Sequence, residues 1–177
     1  MQSSIYKTVL CLAALNKAVS GASIVPRAGL DCNDTPKHIC YGDPDGTSQN
    51  LDPDDVAYAA AYLRQQGGLL NMPASTDCGE WSLYQTGTVL VLSKHLNQRV
   101  NSSVSYADVA TTIDGGGDTA TDATKSASLA SCGTHGGQTS VLVNTGDPLY
   151  ATDDYKNSHF STGGIIIKIV KAPASSQ

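Results

Sequence analysis

The chain has 177 residues, a formal net charge of −5, 40% hydrophobic and 15% charged residues, and five cysteines. Its few basic residues are scattered rather than gathered in a stripe, which argues against a nucleic-acid partner and against tight adsorption to anionic membranes. No apolar stretch approaches the roughly 20 residues a membrane-spanning helix needs, so no membrane insertion is expected.

The N-terminal residues carry the strongest compartment signal. Lys7 precedes the apolar run Val9-Leu10-Cys11-Leu12-Ala13-Ala14-Leu15, and the small residues Ser20, Gly21 and Ala22 follow. This order predicts a cleavable secretory signal over 1–22, cut after Ala22. A further cut after Arg27 rests on a single basic residue. Loss of Lys7 and Lys17 with the leader leaves an exported chain of net charge −7. The product is expected to be secreted and extracellular, with 23–177 forming one disulfide-stabilised domain that ends in a frayed tail at 173–177. Cys32, Cys40, Cys78 and Cys132 remain after export, an even number in an oxidising route, so two disulfides are expected. Three pairings are open. The spacings of 8, 38 and 54 residues match no zinc-ribbon or zinc-finger pattern, and no metal or cofactor is expected.

A short strand near 38–41 opens the folded part. Asp52-Pro53-Asp54-Asp55 then predicts a helix start: an N-cap aspartate, proline at the first helical position and carboxylates in the first turn. Val56, Ala60 and Leu63 fall on one face, Tyr58 and Tyr62 on a neighbouring one, and Gly67-Gly68 ends the helix. Residues 80–84 alternate as a strand with Trp81 and Leu83 on one, core-facing side. Thr86-Gly87 marks a tight turn into the β-favouring run Val89-Leu90-Val91-Leu92. A second helix starts at Ser105, with Asp108 three residues on as a capping box, and stops at Gly115-Gly116-Gly117. Strands are expected at 139–143 and 165–170, and long loops at 93–104, 115–131 and 144–163. The order β-α-β-β-α-β-β fits an α+β fold, a two-layer α/β sandwich with a mostly antiparallel sheet and two helices on one face.

A catalytic set is harder to find. There is no G-x-S-x-G elbow and no H-E-x-x-H among the four histidines. His135, within Cys132-Gly133-Thr134-His135-Gly136-Gly137, and Glu80, beside Trp81, are the two residues on which a hydrolase would rest. A disulfide-anchored turn and a strand-surface acid beside a core tryptophan account for them more simply. Asp54-Asp55 and Asp153-Asp154 are adjacent in sequence, so neither pair makes the facing carboxylates of a glycosidase. The segments around Asp43-Pro44-Asp45-Gly46 and Asp114-Gly115-Gly116-Gly117-Asp118 lack the ligand series of a calcium loop and are explained by turn chemistry and by a helix stop running into a flexible loop. Asn33 and Asn101 open N-x-S/T sequons and are the expected glycan sites.

Asp77-Cys78-Gly79-Glu80-Trp81, the run from Gly87 to Leu92, the segment Tyr106 to Gly116, the Cys132-Gly133 stretch and the terminal Gly164 to Val170 together resemble a family of small secreted proteins of filamentous fungi. The resemblance covers roughly residues 32–171. More distantly the chain is similar to the killer toxins of smut fungi, to related necrosis-inducing effectors and to effectors secreted into plant xylem, although it has fewer cysteines than the toxins and an acidic balance. The resemblance implies an α/β sandwich and interference with a cell-surface target, in some toxins a cation channel.

The expected function is therefore that of a secreted fungal effector or killer-toxin-like virulence protein, binding a host or competitor protein without catalysis. The alternatives are a secreted hydrolase and a wall-polysaccharide-binding module. Long loops are the natural place for a binding surface. The loop 144–163 supplies Tyr150, Tyr155, His159 and Phe160 as candidate anchors, with covering of the core edge as their other role.

Overall fold

A computed structural model describes residues 32–42, 44–75 and 77–174. The expected leader over 1–22, both cut sites, Cys11, the segment 23–31, Asp43 and the last three residues of the tail lie outside the described residues.

The first helix, α1 (Pro53–Gln66), forms as its caps dictate. Asp52 accepts the Asp54 N–H at 2.9 Å, Pro53 occupies the first helical position, and the chain leaves at Gly67. Asp55 does more than complement the helix dipole. Its Oδ2 accepts both the N–H and the hydroxyl of Thr88 (2.7 and 2.8 Å), and the same hydroxyl oxygen accepts the Asp52 N–H. The helix start is thereby tied to the turn between β3 (Trp81–Thr86) and β4 (Val89–His95). That turn is Gly87-Thr88, one residue later than expected, and it needs glycine: φ is +45°, and a Cβ there would strike the Asp55 carboxylate.

The second long helix, α2 (Tyr106–Asp114), starts at Ser105, whose Oγ accepts the Asp108 N–H, and stops at the left-handed Gly115. Two strands absent from the sequence reading link the helices. They are β2 (Leu69–Met72), directly after α1, and β5 (Ser102–Ser105), directly before α2, paired antiparallel from Leu69↔Ser105 to Met72↔Ser102.

The main sheet has five strands in the order β1-β6-β7-β4-β3, every neighbouring pair antiparallel, where β1 is Ile39–Cys40, β6 is Gly137–Ser140 and β7 is Ile165–Lys171. Both long helices pack on one face. Val56, Ala60 and Leu63 of α1 and Val109, Ala110 and Ile113 of α2 share one core with Val89, Val91, Ile165, Ile167 and Ile169. The fold is α+β, a helix layer on an antiparallel sheet. Among the described residues no helix is long and apolar enough to cross a membrane.

The other face of the sheet carries Leu90, Leu92 and Lys94 from β4 and Ile166, Lys168 and Val170 from β7. Residues 32–36 reach this face. Cys32 donates its N–H to the Leu96 carbonyl, the Ser140 N–H goes to the Pro36 carbonyl, and the Asp34 carboxylate lies between Lys94 (2.5 Å) and Lys168 (3.3 Å). The disulfides are Cys32–Cys78 and Cys40–Cys132, which resolves the three possible pairings.

The loops expected at 115–131 and 144–163 are largely structured. The first holds a 3-10 turn at Gly117–Thr119, then α3 (Asp122–Ala127), and leads into a 3-10 segment at Leu129–His135. The second holds α4 (Pro148–Ala151) and α5 (Asp153–Ser158). The segment after Asp114 is no flexible loop either: the Asp114 carboxylate accepts two bonds from Arg64 (2.7 and 3.0 Å) and the Gly116 N–H, which holds the glycines against α1.

Candidate functional site

The four anchors expected on 144–163 occupy different environments. The Tyr150 hydroxyl accepts the Ser105 N–H at 2.7 Å and donates to Asp108 Oδ2 at 2.5 Å. The Tyr155 hydroxyl donates to the Ser103 carbonyl, and the two rings meet edge to face. Both polar ends are thus turned toward the core edge and pin α4 and α5 onto β5. His159 is exposed, and Phe160 is half-buried. Tyr155 and Phe160 line a cleft of about 400 Å³ together with Leu69, Asn71, Leu149 and Asp154.

The candidate catalytic residues do not share a described contact. Glu80 is ion-paired with Lys168 at 2.8 Å. Burial alone would lower the Lys168 ammonium, but Glu80 and then Asp34 outweigh it and hold its pKa above the ordinary lysine value. His135 is exposed, and its ring makes no hydrogen bond among the described residues. The sequon residues Asn33 and Asn101 are both exposed, with Asn101 Oδ1 accepting the Ala74 N–H.

The largest exposed hydrophobic side chains lie elsewhere, where α1 meets β3. Tyr58 is 59% exposed, Tyr62 43% and Trp81 40%. The Tyr62 ring stacks on Tyr84 of β3 at 3.9 Å between centroids with planes 13° apart, and Tyr58 leans on the same ring at 6.5 Å. Trp81 is therefore not the core residue the alternation predicted. It does lie on the α1 side, opposite the buried Ser93, but on the outermost strand, where it stays 40% exposed; a β-bulge then shifts the register between Ser82 and Tyr84, with Leu83 the extra residue. Trp81 pairs with Ser93 and Tyr84 with Val91, so residues three apart share the α1 side of β3.

Among the described residues β3 is also the edge of the sheet, with β4 as its one strand neighbour. In a hairpin closed by two residues the flanking pair Thr86–Val89 is hydrogen-bonded, which leaves the N–H and C=O of the next residue, the exposed Gln85, facing outward. Edge strands are normally blunted by charge or proline; Trp81-Ser82-Leu83-Tyr84-Gln85-Thr86 has neither, and the bulge is its one irregularity. The sequence showed Tyr58 and Tyr62 on one helix face but gave no sign that an edge strand would set Tyr84 beside them.

No family model, curated protein or solved structure matches the chain.

Proposed function

We propose that the chain is a secreted, non-catalytic binding protein that recognises a host or competitor protein through the α1–β3 edge. The observation that carries this is the coincidence, on one rim of the described residues, of outward backbone groups on an uncharged edge strand with three clustered tyrosines, Tyr58, Tyr62 and Tyr84, and the exposed Trp81 on the same strand. An extended segment of a partner would add a strand to β3, taking main-chain hydrogen bonds that a polysaccharide cannot offer in that spacing. Tyr58, Tyr62, Tyr84 and Trp81 would flank it; tyrosine and tryptophan are the residue types that dominate binding energy at protein interfaces. Two disulfides are compatible with an oxidising, extracellular setting, and the resemblance to fungal effectors and killer toxins supports a role in virulence or in competition.

The test is complementation in the producing organism. Gene deletion should reduce virulence or competitive growth, and the wild-type chain should restore it. Chains carrying Tyr62→Ser with Trp81→Ser, or Gln85→Pro to remove the outward N–H, should be exported with near-normal melting temperatures and fail to restore it. Full rescue by both variants, or no effect of deletion, overturns the reading. Retention of the wild-type chain on insoluble chitin or glucan, lost in the aromatic variant, would favour a wall-binding module instead.

A further inference from the structure

The Cys40–Cys132 bridge is faced by a third side chain of ligand type. His38 Nε2 stands 3.4 Å from Cys132 Sγ and 3.5 Å from Cys40 Sγ, and the ligand atoms of the three residues lie within 4.8 Å of one another. His38 Nδ1 is 3.1 Å from the Ala127 carbonyl oxygen. A carbonyl only accepts, so Nδ1 carries the proton and Nε2 turns its lone pair toward the sulfurs. Ser131 Oγ is 3.3 Å from Nε2, but its proton goes to the Ser128 carbonyl at 2.7 Å. Nε2 is thus left without a proton donor among the described residues. A histidine whose one nitrogen donates to a backbone carbonyl, with the other free and aimed at sulfur, is oriented as metal-binding histidines are.

We propose that reduction of this bridge opens a zinc site, in which the Cys40 and Cys132 thiolates and His38 Nε2 bind one Zn²⁺ and leave a fourth position for water or an incoming ligand. Cys₂His with an open position is a known zinc arrangement, and thiolate with imidazole suits this ion. The electrons come from a thiol reductant. One of its thiolates attacks a bridge sulfur and expels the other as thiolate; its second thiol then resolves the mixed disulfide and leaves as the reductant's own disulfide, two electrons having passed. Zinc binding displaces the thiol protons to solvent. The sulfurs must part to roughly 3.7 Å, as two Zn–S bonds of about 2.3 Å at a tetrahedral angle require.

The frame that holds the three ligands does not depend on the S–S bond. Ile39↔Gln138 and Cys40↔Gly137 pair β1 with β6, and the Tyr41, Gln49 and Leu51 N–H groups bond the carbonyls of Gly136, His135 and Thr134. Gly137 keeps the approach open: a Cβ there would strike the Ile39 carbonyl and come within 3.1 Å of Cys132 Sγ. The Cys32–Cys78 bridge is an internal control. The side-chain oxygen beside Cys78 Sγ, at 3.4 Å, is that of Gln98, and no histidine faces this bridge among the described residues.

The test uses the full chain, reduced with a phosphine, freed of reductant without oxygen and titrated with Zn²⁺ alone against a chromophoric chelator, with native mass spectrometry to count the metal. The wild type and the Cys32→Ser/Cys78→Ser variant should each bind one zinc after reduction and none before, and His38→Ala should bind at least tenfold more weakly. If the reduced chain loses its fold, zinc should restore its circular dichroism spectrum in the wild type and not in His38→Ala. Equal affinity in His38→Ala, zinc that follows Cys32 and Cys78, or a reduced chain that neither binds zinc nor refolds with it overturns the proposal.

Discussion

Tyr150 and Asp108 share a hydrogen bond of 2.5 Å, although they lie 42 residues apart, and Asp108 is only 3% exposed. The same hydroxyl accepts the Ser105 N–H, the backbone group at the start of α2 that a capping-box side chain would have satisfied. Asp108 cannot serve there, because its Oδ1 accepts the Asn144 N–H instead. Tyr150→Phe therefore leaves a buried carboxylate short of a donor and an N–H short of an acceptor. It should cost about 2 kcal/mol, which calorimetry would read as a fall in Tm of roughly 4–8 °C. An unchanged Tm would mean that the hydroxyl is not engaged and would return Tyr150 to the list of free binding anchors.

Asp108 and Asp34 should give stability opposite pH dependences. Burial raises the Asp108 carboxyl above its ordinary value, more than the Tyr150 and Asn144 hydrogen bonds lower it. The folded state then holds that proton more tightly than the unfolded one, so the Asp108 contribution is full below the unfolded pKa and is lost as pH rises through the folded pKa. Asp34 behaves in reverse. Burial alone would raise it, but Lys94 and Lys168 outweigh burial and hold it below its ordinary value. Its contribution is present above the unfolded pKa and is lost as pH falls through the folded one. Urea unfolding across the acid range should show Asp34→Asn flattening the acid limb, at a cost of about 2 kcal/mol at neutral pH, because Lys94 loses its carboxylate while Lys168 keeps Glu80. Asp108→Asn should remove a decline on the alkaline side of the carboxylate range. Identical pH profiles in all three proteins would contradict both assignments.

What was legible in the sequence was what is local. The ends of α1 and α2 are written in Asp52-Pro53, Ser105, Gly67 and Gly115, because caps act within one turn. α4 carries the same signal in Asp147-Pro148, within the segment expected as a loop. β5 could not be read: Ser102-Ser103-Val104-Ser105 has little strand propensity and no alternation, and it is a strand because α1 and α2 bring β2 alongside it. The aromatic rim depends on strand order and on a bulge, and the His38 cluster on a contact spanning 94 residues, so neither leaves a spacing to find.

Ser93 offers a gain rather than a loss. It lies on the helix-facing side of β4, fully buried, and its hydroxyl has no hydrogen-bond partner among the described residues. An unmet buried hydroxyl costs about 1–3 kcal/mol, more than the small void left by removing one oxygen. Ser93→Ala should raise the free energy of unfolding by about 1 kcal/mol in a denaturant titration with an unchanged slope. A loss of similar size would mean that the hydroxyl is satisfied in solution.

The two disulfides close interleaved loops, since Cys40 lies between Cys32 and Cys78 and Cys132 beyond them, with sequence separations of 46 and 92 residues. Unreduced proteolysis should release a Cys32 peptide linked to a Cys78 peptide and a Cys40 peptide linked to a Cys132 peptide; either other pairing refutes the topology. In the chain-entropy picture a loop of the shorter length restrains the unfolded chain by about 4 kcal/mol. Cys32→Ala/Cys78→Ala should lose up to that amount, because this bridge fastens residues 32–36 to the outer face, where Asp34 meets both lysines. Each bridge shortens the loop that the other closes, so either is missed less while its partner remains, and losing both should cost more than the sum of the separate losses. A double-mutant cycle on the two pairs reads that difference directly, and strict additivity would mean that the bridges act on independent parts of the unfolded chain.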